Sequence, residues 1–128
     1  MTNNNKLNIA IVGLGNIGSY LYKYLKTNKE ILSKKNNCVP NIIFVSAKNK
    51  NRKRNIKIDK KKWLKNYLDA TKSKNVDIIV ELIGGAEGPA KKLVFNALKN
   101  KKHVVTANKA LIAKYGDQLS KIAEENNV

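Results

Sequence analysis

Residues 9–12, Ile9-Ala10-Ile11-Val12, pass without interruption into Gly13-Leu14-Gly15-Asn16-Ile17-Gly18, and an amphipathic stretch follows. A short apolar run closed by glycine reads as a strand buried on both faces. Strand, then G-x-G-x-x-G, then helix is the context that a dinucleotide fingerprint requires. Gly13 permits the tight turn, Gly15 lets backbone approach a pyrophosphate, and Gly18 lets the helix pack closely on the strand. The helix N-terminus then offers free N–H groups and a partial positive charge to phosphate. Leu14, Asn16 and Ile17 fill the remaining places of the expected cofactor-binding loop.

Downstream, strand-like and helix-like patterns alternate. Ile17, Leu21, Tyr24 and Leu25 recur at helical spacing and predict the buried face of the first helix. The polar stretch 33–37 ends that unit. Residues 42–45 form a second β-rich run, with Pro40 at its edge. Residues 48–62 read as a polar loop, and Trp63, Leu64, Tyr67 and Leu68 as a short amphipathic helix. A third strand is expected over 76–83, closed by Gly84-Gly85. Pro89 opens a helix whose apolar face is Leu93, Val94, Ala97 and Leu98. Residues 103–106 make a fourth strand. The last helical pattern uses Leu111, Ile112, Tyr115, Leu119, Ile122 and Ala123, with a break expected at Gly116.

Alternation of this kind predicts an α/β fold of Rossmann type, a doubly wound, mostly parallel sheet with helices on both faces. Right-handed crossovers place the carboxyl ends of all four strands along one edge. Ligands bind there, where strand order reverses. Four loops therefore converge on one crevice: 13–18, 46–48, 83–85 and 106–109.

The chain has 128 residues, one domain (1–128) that can bury roughly two thirds of its unfolded surface. No apolar run approaches the ~20 residues of a membrane span. Residues 1–6 are polar, without the apolar core of a signal peptide, and are expected to fray. The single cysteine, Cys38, excludes an internal disulfide and a cysteine-based metal cluster, which points to the cytoplasm. It has no adjacent activating group and reads as non-catalytic.

A net charge of +17 would suit a nucleic-acid binder. Yet the lysines are scattered over most helices and loops, and the chain is also rich in asparagine, another residue with adenine-rich codons. Few aromatics lie among them, whereas single-strand binders need stacking platforms beside their charge. A solvated surface, with no nucleic-acid or membrane partner, is the reading these features favour.

The second half narrows the family. Val80-Glu81-Leu82-Ile83-Gly84-Gly85, then Pro89-Ala90, then residues 102–111 with Thr106-Ala107-Asn108-Lys109, closely resemble the N-terminal NAD(P)-binding domain of homoserine dehydrogenase. The resemblance runs from about Leu7 to the end of the chain. It implies an oxidoreductase that interconverts L-homoserine and L-aspartate 4-semialdehyde, on the route to threonine, isoleucine and methionine. It also implies a homo-oligomeric full enzyme, with its catalytic lysine and acidic substrate-binding residues in a second domain. The chain is therefore expected to be a truncated enzyme that binds cofactor with little or no turnover. It ends where another strand would begin, leaving a strand edge open to self-association, and no aspartate kinase domain is expected before it.

By this resemblance Lys109 is the catalytic residue expected in this domain, reaching the nicotinamide end of the cofactor and the substrate pocket. Thr106 and Asn108 hold the loop, Asn108 as a helix N-cap, or touch the cofactor. Ile83, Gly84 and Gly85 let backbone pass beside ribose or nicotinamide, or form a plain turn. Glu81, within a strand, must be paired or hydrogen-bonded, as part of the site or as a partner of backbone amides. His103 begins a strand, has no companion at ligand spacing, and supports no metal.

Cofactor choice rests on the second strand. An NAD site usually has an acid there for the ribose 2′-hydroxyl. After Val45 the first acid is Asp59, and Lys48 stands where the family often has arginine, with Arg52 and Arg54 nearby in sequence. NADP(H) is therefore favoured over NAD(H), although lysine lacks arginine's bidentate geometry. Two other readings are another NAD(P)-dependent dehydrogenase domain and a non-catalytic basic module that binds nucleotide or nucleic acid.

Overall fold

Lys6–Val12 forms β1, the strand that organises everything else. The computed structural model describes residues 5–128. After β1 come α1 (Asn16–Thr27), α2 (Lys29–Asn36), β2 (Val39–Ser46), a single 3-10 turn (Lys60–Lys62) and α3 (Asp69–Lys72). Then follow β3 (Ile78–Glu81), α4 (Pro89–Lys99), β4 (His103–Thr106) and α5 (Lys109–Glu125). The sheet order is β2-β1-β3-β4 and every ladder is parallel. The chain runs from β1 to one side and then crosses to the other, so the order reverses between β1 and β3.

Side chains alternate across β1, as a strand buried on both faces requires. Ile9 and Ile11 pack with Tyr22 of α1 and with Leu14, Ile42, Val45 and Val80. Ala10 and Val12 face Leu93 and Ala97 of α4, with Ala70, Val76 and Ile79. Helices thus cover both faces, as a Rossmann-type fold requires. Leu111 and Leu119 seat α5 on Val94 and Leu98 of α4. Each such large apolar side chain, fully buried, contributes about 1.5–3 kcal/mol. Between β1 and β2 the pairing slips: Ile9 faces Ile42, but Ala10 faces Phe44, so Ile43 is an extra residue. This bulge lets Ile42 and Val45, three positions apart, join the same core.

Six expectations need correction. The buried face of α1 is Gly18, Leu21, Tyr22 and Leu25; Ile17 is 66% exposed and Tyr24 43%. The rotation is set by Gly18, where a Cβ would lie 2.0 Å from the Gly13 carbonyl oxygen, so position 18 must face the turn. Residues 33–36 belong to α2, a helix of good formers without a buried residue, which an apolar-period reading cannot see. Residues 63–68 are not helical. Trp63 instead bridges Val45 in parallel, and Leu64 N–H donates to the Val45 carbonyl at 3.0 Å, covering the edge of β2. The third strand is four residues long rather than eight. α5 runs through Gly116, where a Cβ would meet only the Ile112 side chain, at 3.5 Å. Of the expected frayed tail, Lys6 already lies in β1, and residues 1–4 lie outside the described residues.

Candidate functional site

Register places Ser46, Val12, Glu81 and Thr106 on one rung across the sheet, at its carboxyl edge. The loops that leave this rung build two adjoining regions. The first is the glycine turn. Gly13 has φ +108°, and a Cβ there would sit 2.6 Å from the backbone C and O of Leu82, so only glycine fits. Its N–H donates to the Ser46 carbonyl at 2.9 Å, tying the turn to the end of β2. Gly15 is the N-cap of α1, and a Cβ there would meet nothing within 4 Å. The turn is thus closed toward the protein at Gly13 and Gly18 and open outward at Gly15. No side-chain cap and no acidic residue occupy the first turn of α1. Its leading N–H groups lack intrahelical acceptors by construction, which suits an anion.

Beside this turn lies a cleft of about 310 Å³. Leu14, Gly15, Asn16, Ser19, Tyr20 and Lys23 line one wall, and residues 52–56 the other. Its charged lining is wholly cationic: Lys23, Arg52, Lys53 and Arg54. Lys48 stands exposed two residues past β2 and is not among the lining residues. The basic run 48–62 signalled this wall in the sequence. Tyr20 and Lys23 carried no signal, because an apolar period marks the buried face of α1 and not which outward residues border the cleft.

The second region lies at the ends of β3 and β4. Glu81 is fully buried, at 0% exposure, and its carboxylate accepts three hydrogen bonds. Oε1 accepts the N–H groups of Ile83 (2.7 Å) and Gly84 (3.0 Å). Oε2 accepts the Thr106 hydroxyl at 2.5 Å. That hydroxyl oxygen accepts the Asn108 N–H at 3.0 Å. Asn108 caps α5 by accepting the Leu111 N–H at 3.0 Å, and its Nδ2 donates to the Gly85 carbonyl at 2.6 Å. Of the two readings of Glu81, the partner of backbone amides is the one observed. The network locks the β3–α4 loop to the β4–α5 loop, with Gly84 and Gly85 at φ +87° and +83°. Ile83 and Lys109 are exposed beside it, and Lys109 opens α5 at the crevice.

A second brace lies further out. Glu87 accepts from Lys114 (2.6 Å), Lys91 (3.3 Å) and the Tyr115 hydroxyl. The hydrogen bond from Lys114, then that from Tyr115, lowers the Glu87 carboxyl to about 2. The hydrogen bond with Tyr115 chiefly raises Lys91, and that with Glu87 raises Lys114. These groups are exposed, so the brace adds little stability.

His103 begins β4 and Cys38 precedes β2, both at the opposite end of the sheet from the crevice. Among the described residues no group of three His, Cys, Asp or Glu side chains could hold a metal, and no helix is long and apolar enough to cross a membrane.

Residues 13–128 match the family model described as homoserine dehydrogenase, NAD binding domain. The homoserine dehydrogenase of Bacillus subtilis is 35% identical over 120 residues, 94% of this chain and 28% of that protein. That of Lactococcus lactis is 35% identical over 127 residues, 95% of this chain and 29% of that protein. Among solved structures, Staphylococcus aureus homoserine dehydrogenase superposes with a TM-score of 0.87 at 37% identity, covering 97% of this chain and 32% of that one. The enzyme from Thiobacillus denitrificans gives 0.88 at 32% identity, covering 97% and 28%. This chain spans less than a third of the length of these relatives.

Proposed function

The chain belongs to the homoserine dehydrogenase family, as its NAD-binding domain, and from that premise we propose that it holds NADP(H) in preference to NAD(H). As one domain it serves an enzyme that interconverts L-homoserine and L-aspartate 4-semialdehyde. The observation that carries the preference is the cleft beside the glycine turn, whose charged lining is four cations with no carboxylate. A ribose 2′-hydroxyl finds no acidic acceptor there, whereas a 2′-phosphate finds charge complementarity.

The residues present fit the cofactor. The outward-open position at Gly15 leaves room for a pyrophosphate against the N-terminus of α1. Gly13, Leu14, Asn16, Ile17 and Gly18 shape that turn, and Lys48 adds positive charge near the end of β2. When bound, the nicotinamide supplies the hydride chemistry. The protein's share is placement: Ile83 and Gly84 offer backbone at the nicotinamide end, and Thr106 fixes that loop through Glu81. Lys109, exposed at the start of α5, faces the reacting end and orients substrate.

Calorimetric titration of the 128-residue chain with NADPH and with NADH tests this. Saturable binding of both, with NADPH tighter, is expected. Equal or tighter binding of NADH would refute the 2′-phosphate reading and keep the fold. Binding of neither would refute the site itself, and salt-dependent binding of DNA in its place would favour the basic-module reading.

A further inference from the structure

Loop 49–55 lies over the glycine turn, and one side chain organises it. Arg54 Nε donates to the Leu14 carbonyl at 2.9 Å. One terminal nitrogen donates to the carbonyls of Lys50 (3.2 Å) and Arg52 (3.1 Å), and the other to that of Asn49 (2.9 Å). A guanidinium has five N–H donors and no acceptor. Four are therefore committed to backbone, and a single N–H is left, too few for a bidentate phosphate contact.

The same guanidinium lies 5.7 Å from the centre of the Trp63 ring. Trp63 is itself fixed by its bridge to Val45, the residue before the end of β2. A continuous line of contact thus runs from β2 through Trp63 and Arg54 to Leu14, between the first two glycines. Burial, and secondarily the charge of Arg52, lower Arg54 from its ordinary value. Arg52 and Lys53, by contrast, are exposed, and they line the cleft.

We propose that Arg54 is a positioning residue. It folds loop 49–55 around its own guanidinium and pins that loop to the glycine turn, so that Arg52 and Lys53, and not Arg54, meet the 2′-phosphate. The proposal rests on the NADP(H) preference argued above. Of the two arginines in this loop, one is architecture and the other recognition. Lysine cannot substitute at position 54, because a compact ammonium with three donors cannot reach four carbonyls set around a planar fork.

The test compares R54K, R54Q, R52Q and K53Q with the unsubstituted 128-residue chain, using two readouts. Calorimetry gives the Kd for NADPH and NADH. Limited trypsin digestion without cofactor, read by mass spectrometry, gives the cleavage rate after Lys50. R54K and R54Q are expected to raise the NADPH Kd at least tenfold, leave the NADH Kd within threefold, and speed cleavage after Lys50 severalfold. R52Q and K53Q should weaken NADPH without changing that cleavage rate. NADPH affinity in R54K equal to that of the unsubstituted chain, or an unchanged cleavage rate in R54K and R54Q, would overturn the proposal. An unsubstituted chain without preference for NADPH would overturn the phosphate half of it, while the cleavage rates would still decide whether Arg54 braces the loop.

Discussion

Replacing Gly15 and Gly18 by alanine, one at a time, should separate binding from folding within a single motif. At position 15 the added methyl meets no protein atom within 4 Å, and the backbone, at φ −74° and ψ −155°, is open to any residue. Alanine is a slightly poorer N-cap than glycine, and it lowers the entropy of the unfolded chain; these effects oppose each other at about 0.5 kcal/mol each. Stability should therefore hold, with the melting temperature within about 2 °C. The methyl occupies the space that a pyrophosphate needs, so NADPH affinity should fall about 100-fold, or ~2.7 kcal/mol. At position 18 the methyl lies 2.0 Å from the Gly13 carbonyl oxygen and 3.0 Å from its carbon, both backbone atoms. α1 must then move out by more than an ångström, which unseats Tyr22, 2% exposed in the core. Overpacking of this kind costs about 3 kcal/mol, roughly a 10 °C fall in melting temperature for a chain of this size. Circular dichroism melts and calorimetry on both variants measure the pair. If G15A loses as much stability as G18A, or binds NADPH like the unsubstituted chain, the assignment of roles to these glycines is wrong.

Two further outcomes follow from the hydrogen-bond networks. Glu81→Ala leaves two N–H groups and the Thr106 hydroxyl of a part-buried network without their acceptor and should destabilise by about 2 kcal/mol, whereas Glu81→Gln keeps an oxygen for the amides and should lose about 1 kcal/mol; equal losses in urea melts would contradict the network. Glu87, held at about 2, favours the folded state above its ordinary carboxylate range, and that contribution is lost as pH falls from about 4.5 toward about 2. The melting-temperature gap between the unsubstituted chain and E87Q should therefore close over that window and shrink in high salt; a gap constant with pH would refute the assignment.

The sheet and the glycine turn were legible because both rest on local, strongly patterned signals. The run 9–12 followed by glycines appears as β1 and its turn, and the stretch 103–106 coincides with β4. The orientation of α1 was not legible. Ile17 and Tyr24 complete an apolar stripe with Leu21 and Leu25 as readily as Gly18 and Tyr22 do, and only the steric demand of Gly18 against Gly13 chooses between them. The segment 63–68 carries helical spacing, but an open strand edge nearby takes its backbone instead. At the site, Glu81, Thr106 and Asn108 could be suspected from an acid within a strand and a capping residue after one. That they join in a single network depends on β3 and β4 lying side by side in register. The two arginines differ by no sequence feature; only the folded loop distinguishes the enclosed guanidinium from the exposed one.

The extra residue in β2 has a consequence for how related chains are aligned. Up to Ile42 the strand keeps step with β1; from Phe44 onward it is one place out of phase. A homologue lacking the counterpart of Ile43 would pair without the slip, and every later residue of the strand would keep the partner and the face it has here. Ser46 would still stand opposite Val12, where its carbonyl receives the Gly13 N–H. A single-residue gap in such a chain therefore belongs at the bulge rather than in the loop that follows, because only there does it leave the support beneath the first glycine in place.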